Sequence, residues 1–472
     1  MKIGSPGHAV PRELVALNES ALPRPPSATD FAVVDDPVLG HVERFHLSNG
    51  IPVTIVPRSG SPTVTILATV NTGTLDEAEG SYGVAHYLEH VVHEKTADFP
   101  DKGSLAEFVQ ARGASTNACT SRERTAYHIQ LPAESAEDGL YGVQQLLFHA
   151  LITPDVVNLH RGIILSEAGD YRVDGKQQLL ADIFGQPSLC RAICGSNEDL
   201  HRVTVDSLES FRSAYYTPSN ISLVVVGKIS PDFPTLIERY FGGYPDTSNA
   251  HQRQFNEAKV QIPADARFDL WGSSHSRISF IFPTPIGSIA DMHSSKVLQL
   301  ILHGDTDRSF NAILRERLGI AYNASATMER LRSYSWIDLR TELPVEASGV
   351  GISTVRSAVQ DFLRRPFTEE DKLEAVKRLK FQLLHEAADP LQAAFQTSAL
   401  QLTVPHLGRP GRLLDSLSNV TIDSIHNTAM QVLDDSNMFL FINGGLDNAL
   451  LKKVYLNGTI EQENRGSATR LN

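Results

Sequence analysis

The segment Val203-Thr-Val-Asp-Ser-Leu208 returns 217 residues later as Val420-Thr-Ile-Asp-Ser-Ile425. The same offset carries Ser219-Asn220 onto Ser436-Asn437 and Gly227 onto Gly444. Both copies read as a capped helix, a short turn and an apolar strand, Ile221–Val226 in the first and Met438–Ile442 in the second. Upstream, Ser104-Leu-Ala-Glu-Phe resembles Ser309-Phe-Asn-Ala-Ile and Asn117-Ala118 resembles Asn323-Ala324, at offsets of 205 and 206. Matches in one order with slowly drifting offsets are the mark of a duplicated unit with loop insertions.

The duplication divides the 472 residues into an N-terminal arm (1–40), a first half (41–245), a polar linker (246–267) and a second half (268–472). Strand-like Val53–Val56, Thr63–Val70 and Tyr127–Leu131 alternate with helix-like Ser81–His93, Leu105–Ala111 and Pro154–Val173. The expected fold is therefore α+β, each half a mixed or antiparallel sheet flanked by helices.

Charge and cysteine content narrow the function. The net charge of −13 argues against nucleic acid or an anionic membrane as partner. No apolar run reaches the roughly 18–20 residues of a spanning helix. Met1–Asp36, rich in proline and acids, has neither a secretory nor a transit-peptide pattern and reads as a solvated arm. Three cysteines do not make a disulfide framework, which points to a reducing, cytoplasmic setting. Cys190 and Cys194 read as ordinary helix residues.

The chemistry concentrates in Gly83-Val-Ala-His86-Tyr-Leu-Glu89-His90. Residues three and four apart share a helix face, so His86, Glu89 and His90 project together while Val84, Leu88 and Val91 pack opposite. Two imidazoles at that spacing suit zinc, and the carboxylate between them can reach a bound water. A catalytic zinc needs a third protein ligand. Glu167, at the end of Asn158-Leu-His-Arg-Gly-Ile-Ile-Leu-Ser-Glu167, is a candidate, although from its helix alone a surface glutamate is the favoured reading.

Together with Leu47-Ser-Asn-Gly-Ile-Pro-Val, Asn117-Ala-Cys-Thr-Ser-Arg-Glu-Arg-Thr-Ala-Tyr127 and Tyr216-Thr-Pro-Ser-Asn220, these segments resemble the pitrilysin, insulysin and mitochondrial processing peptidase family. The likeness extends over both halves. In that family the third ligand follows the second histidine by about 77 positions, as Glu167 follows His90. The resemblance implies one Zn2+ per chain on His86, His90 and Glu167, Glu89 as general base, and two halves closing like a clamshell. It also implies that Asn117 and Ala118 lie on a strand to which an extended peptide adds, and that Arg315 and Tyr322 in the second half stabilise a developing oxyanion. Where the family carries a glutamate seven positions before the third ligand, this chain has His160, either a hydrogen-bond partner of a ligand or a neutral helix residue. Cys119 is expected to be a buried, inert thiol, with a metal-adjacent, alkylation-sensitive thiol as the other reading.

By repeat alignment Glu167 falls opposite Gln382, and the His86–His90 segment falls near Val297–Leu302, where no paired histidines occur. The second half is therefore expected to lack a metal site. The expected function is zinc-dependent endoproteolysis of unfolded or precursor peptides by a homodimer or a heterodimer with a related subunit. A non-catalytic, substrate-presenting subunit is the alternative.

Overall fold

A computed structural model describes residues 31–445 apart from 171–174, 248–265, 271–272, 287, 305, 332 and 404–407. The expected linker thus lies mostly outside the described residues, as does the arm before residue 31. The first half runs β1 (Ala32–Asp36), β2 (Gly40–His46), β3 (Pro52–Pro57), β4 (Thr63–Val70), α1 (Val84–Val91), α2 (Ser104–Gln110), β5 (Ser115–Thr120), β6 (Thr125–Pro132) and α3 (Ala136–Phe148). It continues through α4 (Pro154–Asp170), α5 (Gly175–Phe184), α6 (Asn197–Arg202), α7 (Val205–Tyr215), β7 (Ile221–Gly227) and α8 (Phe233–Phe241). The second half contains β8 (Ala266–Leu270), β9 (His275–Pro283), α9 (Ile289–His303), β10 (Asn323–Arg330), β11 (Ser335–Pro344) and α10 (Ser348–Arg364). It ends with α11 (Glu369–Ala388), α12 (Pro390–Thr403), α13 (Pro410–Ser418), α14 (Ile422–Val432) and β12 (Phe439–Gly444).

Two sheets carry the duplication. The first has the order β1-β2-β3-β7-β4-β6-β5 and the second β10-β11-β9-β12-β8. Reading the second in reverse gives the last five strands of the first, with one parallel pair in each, β3 with β7 and β8 with β12. The equivalence reaches single residues. Gly227 lies opposite Val64 and Gly444 opposite Ser276, both at positive φ (141° and 118°). A Cβ at either glycine would come within 2.3 Å of a carbonyl on the neighbouring strand, Thr63 O or His275 O. Both copies kept glycine because no side chain fits there.

Register corrects the repeat alignment at one place. Leu131 faces Val64 and Leu343 faces Ser276, so these leucines are equivalent. Three residues back, His128 faces Asn117, whereas Arg340 faces Ser325. The counterpart of Asn117 is therefore Ser325 and not Asn323. The β10–β11 hairpin has arms two residues longer than the β5–β6 hairpin, and a shift of two preserves the face on which each side chain lies. Residues 32–36, expected to belong to a solvated arm, form β1, paired antiparallel with β2; Asp36 accepts from the backbone N–H groups of Val38, Leu39 and Gly411. Cys190 ends a 3-10 turn and buried Cys194 lies outside any helix, which corrects their reading as helix residues.

The halves exchange a helix. α12 of the second half packs across β4 and β7 of the first sheet, with Thr69 Oγ1 2.8 Å from Ser398 Oγ and Gln401 Nε2 donating to Thr54 Oγ1. In return, α5 buries Leu179, Ile183 and Phe184 against Ile281, Trp336, Phe439 and Phe441 of the second sheet. Lys176 at the start of α5 pairs with fully buried Asp338. Each half thus covers apolar surface that the other half would otherwise expose to water, which couples their folding.

Candidate metal centre

Helix α1 is short, and its neighbours hold it in place. Val84, Ala85, Tyr87, Leu88 and Val91 are buried, leaving His86, Glu89 and His90 on the opposite, part-exposed stripe. At its start Gly83 adopts φ 81°, a left-handed conformation, and its α-carbon leaves no room for a side chain beside Cys194 O. Glu77 accepts from the N–H groups of Gly83 (3.0 Å) and Ala85 (2.9 Å), satisfying donors that the first turn leaves unpaired. Tyr87 Oη donates to Val157 O at 2.5 Å and ties α1 to α4. Val156, Val157 and Ile164 seat α4 in the core and leave Glu167 on its exposed side.

These constraints bring three donors together. The His86 and His90 Nε2 atoms are 3.3 Å apart, and Glu167 Oε2 lies 3.8 Å from the first and 3.5 Å from the second. A tetrahedral ion with bonds of about 2.0–2.1 Å requires ligand atoms about 3.3–3.4 Å apart, so the triangle has the size of one face of such a site. Burial, followed by the neighbouring His90, pushes His86 down to about 4, and burial also lowers His90. Both imidazoles are therefore neutral at pH 7, the form that binds a cation. Among the described residues no other group of His, Cys, Asp and Glu converges in this way.

Glu89 lies on the same stripe without joining the triangle. Its carboxylate accepts from Thr120 Oγ1 at 2.6 Å. Burial raises its pKa, the Thr120 hydrogen bond opposes that rise, and the charge of Glu167 adds to it. A carboxylate held beside a cation site, with its affinity for a proton raised, can take and return a proton. His160, which the sequence left open, touches the centre: its ring stands edge-on to His90 with centroids 5.7 Å apart, and its Nε2 lies 3.0 Å from Glu94 Oε1.

The other expected site residues lie on the two strand edges. Asn117 and Ala118 occupy β5, the outer strand of the first sheet, with β6 on one side only. The Ala118 N–H donates to Asn117 Oδ1 at 2.8 Å. Cys119 is exposed, contrary to the expected buried thiol, because it projects from the face of β5 opposite the one on which Ala118 and Thr120 pack toward the core and α1. Burial nonetheless raises the thiol pKa, which keeps it protonated at neutral pH. Arg315 lies in a π-helical turn (Ala312–Arg317) and Tyr322 just before β10, the outer strand of the second sheet. The Arg315 guanidinium is 5.9 Å from the Tyr322 ring, and Tyr322 is 85% exposed. Among the described residues no hydrogen bond or ion pair joins these two to the triangle. Among the described residues the second half has no triangle of its own. Its α9, placed between β10 and α11 as α1 is between β5 and α4, carries Lys296 donating to Gln299 at 2.8 Å, and Gln382 is exposed.

Sequence reasoning missed Thr120, Glu94 and Glu77. Thr120 lay inside the highlighted Asn117-Ala-Cys-Thr segment, but nothing local marked its hydroxyl as the partner of a residue 31 positions away.

Family models match the two halves in turn. Residues 53–195 match "Insulinase (Peptidase family M16)", and residues 202–379 match "Peptidase M16 inactive domain". The chain belongs to the M16 peptidase family. All three donors and Glu89 fall within the first of the two M16 matches. An uncharacterized zinc protease, YmxG, of Bacillus subtilis (strain 168) is 27% identical over 208 residues, 43% of this chain and 50% of that protein. The chain thus spans about half the length of that relative. The beta subunit of the mitochondrial-processing peptidase of Lentinula edodes is 26% identical over 432 residues, 85% of this chain and 89% of the relative. Among solved structures, a peptidase M16 inactive domain from Pseudomonas fluorescens superposes with a TM-score of 0.72 at 16% identity, covering 86% of this chain and 98% of that one. A protease from Helicobacter pylori gives 0.69 at 16% identity, covering 85% and 99%. At such identities the solved M16 structures establish a shared two-half clamshell fold. Among the described residues no helix is long and apolar enough to cross a membrane.

Proposed function

We propose that this protein is a zinc-dependent endopeptidase acting on extended peptides. The observation that carries this reading is the triangle of His86 Nε2, His90 Nε2 and Glu167 Oε2, with edges of 3.3, 3.5 and 3.8 Å. His86, His90 and Glu167 would hold one Zn2+ per chain, which when bound supplies Lewis acidity to the scissile carbonyl. Glu89 takes a proton from the attacking water and returns it to the leaving amine. Thr120 keeps the Glu89 carboxylate turned toward that water. The open edge of β5 at Asn117 and Ala118 offers backbone groups to a peptide as an added strand. Arg315 and Tyr322, paired and solvent-facing on the other half, supply donors to the developing oxyanion as the halves close. The name of the Lentinula edodes relative, a subunit of a processing peptidase, supports assembly as a dimer with itself or with a related chain.

A non-catalytic role is favoured by one observation, the inactive-domain model matched by the second half. The metal donors and the base lie outside that match, in the first half. Metal analysis paired with peptide cleavage in wild type and Glu89→Gln separates the two readings. The peptidase reading expects about one zinc per chain in both proteins, with cleavage only in wild type. A wild type without zinc after repletion defeats the metal assignment, and a zinc-loaded but inactive wild type favours the presenting subunit.

A further inference from the structure

We infer that Glu94 and His160 form a positioning pair that fixes the orientation of His90 toward the cation, an inference that rests on the metal centre proposed above. His160 precedes Glu167 by seven residues on α4, two helical turns along the same stripe. Glu94 follows His90 by four residues, just past the end of α1. The groove between α1 and α4 therefore holds two matched contacts in succession. In one, the imidazole of His90 meets the carboxylate of Glu167 at 3.5 Å. In the other the chemistry is exchanged, and the carboxylate of Glu94 meets the imidazole of His160 at 3.0 Å.

The pair is well screened from solvent, with the His160 side chain 7% exposed and that of Glu94 17%. Glu94 Oε2 and both ring nitrogens of His160 are buried without a hydrogen-bond partner, so the 3.0 Å approach of His160 Nε2 to Glu94 Oε1 is a close electrostatic contact and not an aligned hydrogen bond. A buried carboxylate left partly unsatisfied costs free energy, whereas an apolar pair of similar shape would not. Its benefit lies in what His160 touches. The ring stands edge-on against His90, with an interplanar angle of 69°, so anchoring His160 restricts rotation of the His90 imidazole. Backbone contacts fix the anchor: the Glu94 N–H donates to Val91 O at 3.2 Å, and Gly103 N–H donates to Glu94 O at 3.0 Å. A ligand held in its binding orientation before the metal arrives loses less freedom when it binds.

The test is the zinc dissociation constant of the full-length, metal-free chain, measured by competition with a chromophoric chelator. Glu94→Gln and His160→Gln should each weaken zinc binding by about 10–100-fold. The double variant should bind no more weakly than the weaker single, because either change alone breaks the pair. The exchanged variant, Glu94→His with His160→Glu, should regain most of the loss, and the cobalt(II) absorption spectrum should follow the same order. Single variants that bind zinc as tightly as wild type overturn the inference while leaving the metal centre intact. So does an exchanged variant no better than the singles, which also covers the case where the singles fold poorly. Absence of zinc binding by wild type removes the metal centre itself, and the role of the pair with it.

Discussion

The hydroxyl of Thr120 donates to Glu89 Oε2 at 2.6 Å, joining the edge strand of the first sheet to the helix that carries both histidines. This contact stabilises the ionised form of Glu89 against the burial that raises its pKa. Thr120→Val removes the donor and keeps the shape. Its acid limb of kcat/KM should move to higher pH, because the base then stays protonated further up the scale. At its optimum the variant should be roughly tenfold slower, the rate equivalent of about 1.5 kcal/mol. Zinc content should not change, and an unaltered pH profile would show that the hydroxyl does not act on the base.

Glu77 ties the stability of the same helix to pH. Burial raises its carboxyl from 4.5 to about 8, more than offsetting the hydrogen bonds from Gly83 and Ala85. The folded chain thus retains a proton that the unfolded chain releases at lower pH. The stabilisation is complete below pH 4.5 and is lost as pH rises toward about 8. Thermal midpoints of wild type and Glu77→Gln should therefore diverge across that window, wild type losing the more on the alkaline side. Parallel curves would refute the assignment.

Gly83→Ala tests the close approach at the start of α1. The φ of 81° alone costs a non-glycine residue about 1–2 kcal/mol, and the added carbon would lie 2.4 Å from Cys194 O. A fall in the urea midpoint beyond that strain, together with weaker zinc binding, is expected. Gly103→Ala makes a useful comparison, since its φ of 74° is similar and nothing lies within 4 Å of an added Cβ. It should show the strain without the clash.

Arg315→Ala and Tyr322→Phe probe the second half. Each should lower kcat by about 10²–10³-fold, the effect of removing one oxyanion donor. Metal content and thermal midpoint should hold, because both side chains are exposed. Full activity in both variants would confine the chemistry to the first half.

The sequence by itself determined the duplicated plan and the helix that places His86, Glu89 and His90 on one stripe. Both are matters of period or spacing along one chain, which the order of residues contains directly, whereas Glu167 became the favoured third donor only through the family resemblance. Gly227 and Gly444 were legible as a repeated pair, although the reason for them, a neighbouring carbonyl 2.3 Å from any Cβ, was not. Only the tertiary structure decided that Ser325 and not Asn323 matches Asn117, because that depends on how long the hairpin arms are. It also decided that Cys119 is exposed, since exposure follows from which face of β5 the rest of the fold covers. The partners of the centre, Thr120 for Glu89, Glu94 for His160 and Glu77 for the start of α1, come together through packing of α1 against β5 and α4. A hydroxyl or carboxylate gains its role from what lies within about 3 Å of it, and chain position alone does not specify that neighbour.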